Sequence, residues 1–271
     1  MLFYCSIKNI FILIISFILI TFVKKEQLTS IKHKTMSDNI ISQIKEALTT
    51  YSDEKTKAST LHFFKEKIEF YGVASSTVQK IAKSFYQQIT LLSKNEIFKL
   101  CDQLWKSGMI EESFIACSWS CSLHKQFTTN DYFRFQEWVE KYVTNWASCD
   151  TLCNHTLGRC IEMYPEHLVD LKKCATSHNR WVRRAAAVSL IIPARKGKFL
   201  NDIFEIADIL LLDKDDLVQK GYGWMLKAAS QAHQQDVFEY VVKNKASMPR
   251  TALRYAIEKM PKEMKIIAMQ K

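Results

Sequence analysis

From Met36 to the C-terminus, apolar side chains recur with the period of an α-helix in one segment after another, and this pattern limits the possible folds more than any other feature. In the segment STVQKIAKSFYQQI, for example, Val78, Ile81, Phe85 and Ile89 fall along one helical face. No segment alternates strongly enough to require a strand. The chain has only 6 Gly and 4 Pro in 271 residues, so it also lacks the turn residues that sheet-rich folds use. We predict an all-α fold in which about a dozen helices pack as successive antiparallel pairs and form a curved α-solenoid.

The N-terminal 35 residues differ from the rest because they contain an apolar run from Ile10 to Val23. The run is short for a membrane span, which needs about 20 residues, but it is normal for the apolar region of a signal peptide. No cleavage pattern follows it, so it is a signal anchor, an uncleaved export segment or a stretch upstream of the true start. Met36 opens MSDNIISQIKEAL, which is typical of a first helix. We therefore expect an extension over residues 1–35 and a single domain over residues 36–271, with membrane association only if the extension is part of the mature protein.

Charge and cysteine spacing bear on the partner and the compartment. The net charge is +10, and it is still +6 without the first 35 residues, which is compatible with a polyanionic partner. The pairs Cys117/Cys121 and Cys149/Cys153 are each spaced to share one helix face, whereas His155 points to a different face from Cys153. We favour reduced core thiols in a cytoplasmic protein over a metal site.

The segment SHNRWVRRAAAVSL, residues 177–190, places two arginines side by side at the start of an apolar helix. Ser177 and Asn179 are good N-cap residues for this helix. Neighbouring residues on an ideal helix point about 100° apart, so Arg183 and Arg184 cannot both lie fully on the solvent face. The two side chains must therefore have different surroundings.

Six segments, in this order along the chain, resemble the AlkD-like DNA alkylation repair family, whose members are DNA glycosylases built from HEAT-like helical repeats. The resemblance covers the chain from about residue 37 to its end. The segments are FFKEKIEFYGVASSTVQKIAK (63–83), LW with EE (104–105 and 111–112), NWASCDTLCNHTLG (145–158), NRWVRRAAAVSL (179–190), DLVQKGYGWMLKAAS (216–230) and MPRTALRYAIEKM (248–260).

The resemblance implies an activity and a set of site residues. Members of this family excise cationic N3- and N7-alkylated purines from duplex DNA on a concave basic face, without a metal or redox cofactor. Their characteristic aspartate corresponds to Asp150, their arginine to Arg184, and their two tryptophans to Trp146 and Trp224. The chain departs from the family at Ala147, where members often carry an acidic residue.

The residues themselves allow two interpretations of Asp150. Trp146 and Asp150 are four apart and share a helix face, where a carboxylate among apolar neighbours is unusual. The carboxylate could cap a helix or pair with a buried arginine. It could instead stabilise the positive charge that develops on deoxyribose when a purine leaves, an effect of up to about 4 kcal/mol at about 4 Å. The tryptophans would then hold the sugar and backbone, unless they are simply core residues.

The segment DDLVQKGYGWMLKAAS adds cations to the candidate surface. Lys220, Trp224 and Lys227 are spaced to share one helix face, which suits a phosphate backbone beside a packed sugar. The lysines could equally be the solvated flanks of a buried tryptophan. Arg250 and Arg254, one turn apart, either extend this basic surface or pair with Glu258.

The sequence therefore predicts a monomeric, monofunctional glycosylase that acts on double-stranded DNA containing alkylated purines. We expect Asp150 to dominate catalysis, and Arg184 to contact phosphate near it, with Arg183 in a structural or peripheral role. No Walker, HExxH, GxSxG or GxGxxG motif points to another chemistry. Two alternatives stay open: a DNA-binding relative that has lost catalysis, and a helical-repeat scaffold that binds protein partners.

Overall fold

Helices form the regular secondary structure of the part that the computed structural model describes, residues 39–270, where the only strand-like feature is one isolated bridge between Glu69 and Met109. It divides into two compact units, one ending at Ala47 and the other beginning at Leu48. The second unit holds all the residues of the candidate site described below. The predicted extension over residues 1–35 and its apolar run lie outside the described residues.

The helices are short to medium in length and follow one another with brief connections. Residues 39–50 form α1. The remaining helices are α2 (Glu54–Leu61), α3 (Ser75–Gln88), α4 (Lys94–Lys106), α5 (Ile110–Ser122), α6 (Asp131–Tyr142), α7 (Trp146–Thr151), α8 (Gly158–Met163), α9 (Leu168–Cys174), α10 (Arg180–Val188), α11 (Ile191–Arg195), α12 (Leu200–Leu210), α13 (Asp216–Ala229), α14 (Gln234–Asn244), α15 (Arg250–Ala256) and α16 (Lys262–Met269). Short 3₁₀ turns cover His124–Gln126 and Pro165–His167, and Leu152–Leu157 form a π-helical turn between α7 and α8.

Side-chain caps fix the starts of the three helices that carry the candidate site. The Asn145 side chain accepts a hydrogen bond from the Ser148 amide at the start of α7. The Asn179 side chain accepts a hydrogen bond from the Trp181 amide at the start of α10, as the sequence predicted. The Asp215 side chain accepts one from the Leu217 amide at the start of α13. Each cap satisfies an amide that the first helical turn leaves without a partner, which stabilises a helix by about 1 kcal/mol.

The core forms where the apolar faces of successive helices meet. Of the four residues predicted to share one face of α3 and its C-terminal end, Val78, Ile81 and Ile89 are buried and Phe85 is half-buried. Helix α13 packs against α10, α11, α12 and α15, so it lies among the C-terminal helices and can carry side chains toward α10. The prediction of an all-α helical-repeat solenoid is confirmed.

Two further expectations from sequence concern membranes and thiols. In residues 39–270, no helix combines the length and apolar character that a bilayer crossing requires. The seven cysteines of this range are free thiols, and Cys149 and Cys153 are fully buried beside each other on α7 and the π-helical turn. Burial raises the pKa of the Cys149 thiol well above its usual value, so it is a structural and not a reactive thiol.

Candidate active site

One nearly continuous helical stretch, from Trp146 to Met163, carries the centre of the candidate site. It begins as α7, widens into the π-helical turn Leu152–Leu157, and continues as α8. A side chain at Gly158 would clash with the carbonyl oxygen of Ser189, so glycine allows the start of α8 to lie directly against the end of α10. This close approach sets the distance between the helix that carries Asp150 and the helix that carries Arg184.

Asp150 and Arg184 form a bidentate ion pair between these helices. Arg184 Nε donates to Asp150 Oδ1 at 2.8 Å, and Nη2 donates to Oδ2 at 2.7 Å. The third donor group, Nη1, binds the backbone carbonyl of Leu217 at the start of α13. The Arg184 side chain is 6% exposed and that of Asp150 14%. The guanidinium is therefore held on three sides, and it fixes the orientation of the carboxylate.

Burial and pairing act in opposite directions on the Asp150 carboxyl. Burial raises its pKa above the usual value, and the hydrogen bonds and charge of Arg184 act against that rise. The arginine therefore shifts this buried carboxyl group toward its ionised form.

Asp150 lies at the border between two open cavities. The first, which we call the apolar cavity, has a volume of about 1020 Å³, and its walls come from the loop before α3 and from α3, α5, α7 and α8. Its apolar side chains include Phe64, Phe70, Val78 and Phe114.

The second, which we call the charged cavity, has a volume of about 810 Å³. Six basic and four acidic side chains line it, including Lys65, Glu66, Arg180, Lys214, Lys220 and Lys227. Four residues line both cavities: Phe63, Trp146, Asp150 and Trp224. The carboxylate and both predicted tryptophans therefore meet at one place that solvent can enter.

The two tryptophans of this border differ from the tryptophans of the core. Trp105, Trp119 and Trp138 are at most 2% exposed, whereas Trp146 and Trp224 are half-buried. The alternative that they are plain core residues therefore does not describe their positions. The Trp146 ring stacks on Phe64 with centroids 5.3 Å apart, and its Nε1 donates to the Phe63 carbonyl at 3.3 Å.

The adjacent arginines of α10 do have different surroundings. Arg183 donates to Asp213 at 2.6 Å and to the carbonyls of Ser177 and His178, and it lines neither cavity. Arg184 is the buried partner of Asp150, which is the pairing that the structural interpretation of Asp150 allowed. This geometry differs from the expected phosphate contact, because the guanidinium already binds the carboxylate and the Leu217 carbonyl.

The other predicted DNA-binding cations lie in two groups. Lys220 and Lys227 line the charged cavity, where they pair with Asp216 and Glu258, both at 2.8 Å. Arg250 and Arg254 are exposed on α15 and line neither cavity, and Arg250 donates to the Met269 carbonyl at 3.2 Å. The structure therefore brings the two lysines to Trp224 and leaves the two arginines elsewhere.

Comparison with known proteins identifies the family. The family model for DNA alkylation repair enzymes matches residues 44–260. The chain belongs to this family. A solved structure from Enterococcus faecalis, described as a predicted DNA alkylation repair enzyme, superposes with a TM-score of 0.69 over 78% of this chain and 97% of that chain, at 17% sequence identity. That likeness shows the same fold, and no curated protein matches the chain. Membership in the DNA alkylation repair family supports a role in DNA repair.

Sequence reasoning missed parts of the candidate site of this member of the DNA alkylation repair family. Phe63 and Phe64 lie in one of the segments that resemble the family, but they are not among the predicted site residues. Two adjacent aromatic residues in a polar stretch are a sign of a contact surface. Arg180, which bridges Glu66 at 3.1 Å and Asp215 at 3.0 Å beside the charged cavity, was not singled out. In the described range, no cluster of His, Cys, Asp and Glu side chains is arranged to hold a metal ion.

Proposed function

We propose that this chain is a monofunctional DNA glycosylase that hydrolyses the bond between deoxyribose and a cationic N3- or N7-alkylated purine in duplex DNA. One observation carries the proposal: a buried carboxylate, held by a bidentate arginine, reaches the border of two open cavities between two half-buried tryptophans. A carboxylate that served only to bind Arg184 would not need to line both cavities.

The chemistry requires little more than a placed negative charge. The glycosidic bond breaks with its electron pair moving to the alkylated purine, which loses its positive charge as it leaves. Positive charge then develops on the deoxyribose, where Asp150 stabilises it. A water molecule adds to C1′ and releases its proton to solvent, which leaves an abasic site. Because the base leaves as a neutral molecule, no general acid is required.

The ion pair sets the size of the electrostatic effect. At an effective dielectric constant of 20, a carboxylate about 4 Å from the developing cation stabilises it by about 4 kcal/mol. The guanidinium of Arg184, about 4 Å farther away, opposes this by about 2 kcal/mol. The net stabilisation of about 2 kcal/mol corresponds to about a 30-fold faster reaction. The positive charge of Arg184 therefore weakens the attraction between Asp150 and the developing cation, but the arginine also keeps the carboxylate ionised and oriented.

Trp146 and Trp224 would hold the sugar and the backbone at this position. Their faces add cation–π attraction of about 0.5 to 2 kcal/mol for a cationic sugar or base. Lys220 and Lys227 would bind backbone phosphates by exchanging their carboxylate partners for phosphate oxygens. The proposed enzyme needs no cofactor, and it acts as a monomer on double-stranded DNA.

The test is release of 7-methylguanine or 3-methyladenine from methylated duplex DNA. In Asp150→Asn, the carboxylate attraction is lost and the repulsion from Arg184 remains, so we expect the release rate to fall about a thousandfold. The matched control is Asp213→Asn, which breaks the Arg183–Asp213 pair of α10 away from both cavities and should keep its activity. Binding without release by the native protein would support the inactive relative, and neither binding nor release would support a scaffold. Borohydride trapping of a covalent adduct with DNA would contradict a monofunctional reaction.

A further inference from the structure

Arg159 on α8 differs from the other arginines that line the two cavities. Arg180 and Arg184 line the charged cavity and both bind carboxylates. Arg159 lines the apolar cavity and is exposed, and among residues 39–270 it has neither an ion pair nor a side-chain hydrogen bond. An arginine at a site edge without a carboxylate partner is available to bind an anion.

The π-helical turn brings Arg159 to the same cavity as Asp150. On an uninterrupted α-helix, nine residues correspond to about 900° of rotation, which would put the two side chains on opposite faces. A π-helical turn takes up about one extra residue, so it reduces the rotation by about 100° and leaves the two side chains about 80° apart. Both side chains then line the apolar cavity. The turn thus extends the candidate site along the helix toward Arg159.

The carboxylates that line the apolar cavity are already bound by groups other than Arg159. Among residues 39–270, Asp150 and Glu111 are the only carboxylates in this lining. Asp150 is held by Arg184, and the Glu111 carboxylate accepts hydrogen bonds from the amides of residues 71–73 at 2.8 to 3.1 Å. His155 lies beside Arg159, and desolvation together with that positive charge lowers the pKa of the imidazole. The end of the cavity at which Arg159 lies is therefore electropositive.

We propose that Arg159, with the imidazoles of His155 and His124 that line the same cavity, forms a subsite for a backbone phosphate of the DNA substrate, away from the lesion. Arg159 is about 13 Å along the helix from Asp150, which corresponds to about four nucleotide steps of duplex DNA. The forked guanidinium suits the geometry of phosphate oxygens, and its exposure leaves it accessible to a duplex. The subsite rests on the proposed function and deepens it, because it assigns a phosphate contact that the buried Arg184 does not make.

The experiment measures the affinity for undamaged duplex DNA over a series of salt concentrations. The variant Arg159→Gln should bind about tenfold more weakly, and the slope of log K against log salt should fall in magnitude by about 0.9. Arg159→Lys keeps a charge and should keep the native slope. Arg195→Gln is the matched control, because Arg195 is also exposed and unpaired within the described range but lines neither cavity. It should behave as the native protein does.

The outcomes separate the subsite from the proposed function. If the native protein releases 7-methylguanine from duplex DNA but Arg159→Gln keeps the native affinity and slope, the subsite is wrong and the glycosylase proposal stands. Equal losses in Arg159→Gln and Arg195→Gln would also overturn the subsite, because they would reflect net charge alone. If the native protein does not bind duplex DNA, both proposals fail. Thermal unfolding of each variant confirms that it is folded.

Discussion

Arg184→Gln tests whether the arginine keeps Asp150 ionised. The substitution removes the guanidinium that donates to both carboxylate oxygens and to the Leu217 carbonyl, and a glutamine amide cannot replace all three contacts. Because burial raises the pKa of Asp150 and Arg184 acts against that rise, the pKa in the variant will be higher than in the native protein. As the pH falls, the variant therefore loses its carboxylate at a higher pH than the native protein does.

The size of the effect follows from the same distances. At a pH where Asp150 is protonated in the variant but ionised in the native protein, the variant lacks the net stabilisation of about 2 kcal/mol. Its rate is then about 30-fold below the native rate. At a higher pH, where Asp150 is ionised in both proteins, the variant lacks the repulsion between Arg184 and the developing cation. Its rate is then up to about 30-fold above the native rate, and poorer orientation of the carboxylate reduces this gain. The ratio of variant to native rate should therefore rise with pH, over a range of up to about a thousandfold.

The assay is single-turnover release of 7-methylguanine from duplex DNA at several pH values, corrected for spontaneous release. The matched control is Arg183→Gln, which removes the neighbouring arginine on the same helix and its pair with Asp213 but leaves both cavities unchanged. Its rate ratio should stay near one at every pH. A ratio for Arg184→Gln that does not change with pH, in a protein shown to be folded by thermal unfolding, would refute this role of Arg184.

Two further substitutions test how the site is supported. Glu111→Gln replaces a carboxylate oxygen that accepts backbone amides of residues 71–73, so it should lower the free energy of unfolding by about 1 to 3 kcal/mol; a thermal midpoint within a degree of native would contradict this. Gly158→Ala puts a methyl group against the Ser189 carbonyl, and we expect a similar loss from overpacking, measured by urea unfolding, with a native transition midpoint as the contrary result.

The fold could be predicted from sequence because its main determinants are local. Helical period alone identified the buried stripe of Val78, Ile81 and Ile89, and the composition of SHNRWVRR identified Asn179 as a cap. The angle of about 100° between neighbouring residues of a helix also predicted that Arg183 and Arg184 have different surroundings. Their partners did not, because Asp213 and Asp150 are 30 and 34 residues away in sequence and only the packing of helices brings them into reach.

The position of Phe63 and Phe64, which contact Trp146 from the loop after α2, is harder to predict for a different reason. Helix α2 has no buried residue and almost no amphipathic character, so periodicity gives no direction for it or for the loop after it. Phe63 is 69% exposed, yet its carbonyl receives the Trp146 indole N–H, and the Phe64 ring stacks on the indole. Both contacts join residues more than 80 positions apart in the sequence, so they are again a tertiary effect.

The π-helical turn is the feature that sequence periodicity could not supply and that changes the site most. A helical pattern read at about 100° per residue assigns Asp150 and Arg159 to opposite faces, so it separates Arg159 from the candidate site. One extra residue per turn is not visible in an apolar pattern, because Leu152, Cys153 and Leu157 are buried in either register. The close contact of Gly158 with the end of α10 fixes the position at which the helix must resume its normal pitch. The widened turn therefore follows from packing, and it is packing that puts a carboxylate and an unpaired arginine on the same cavity wall.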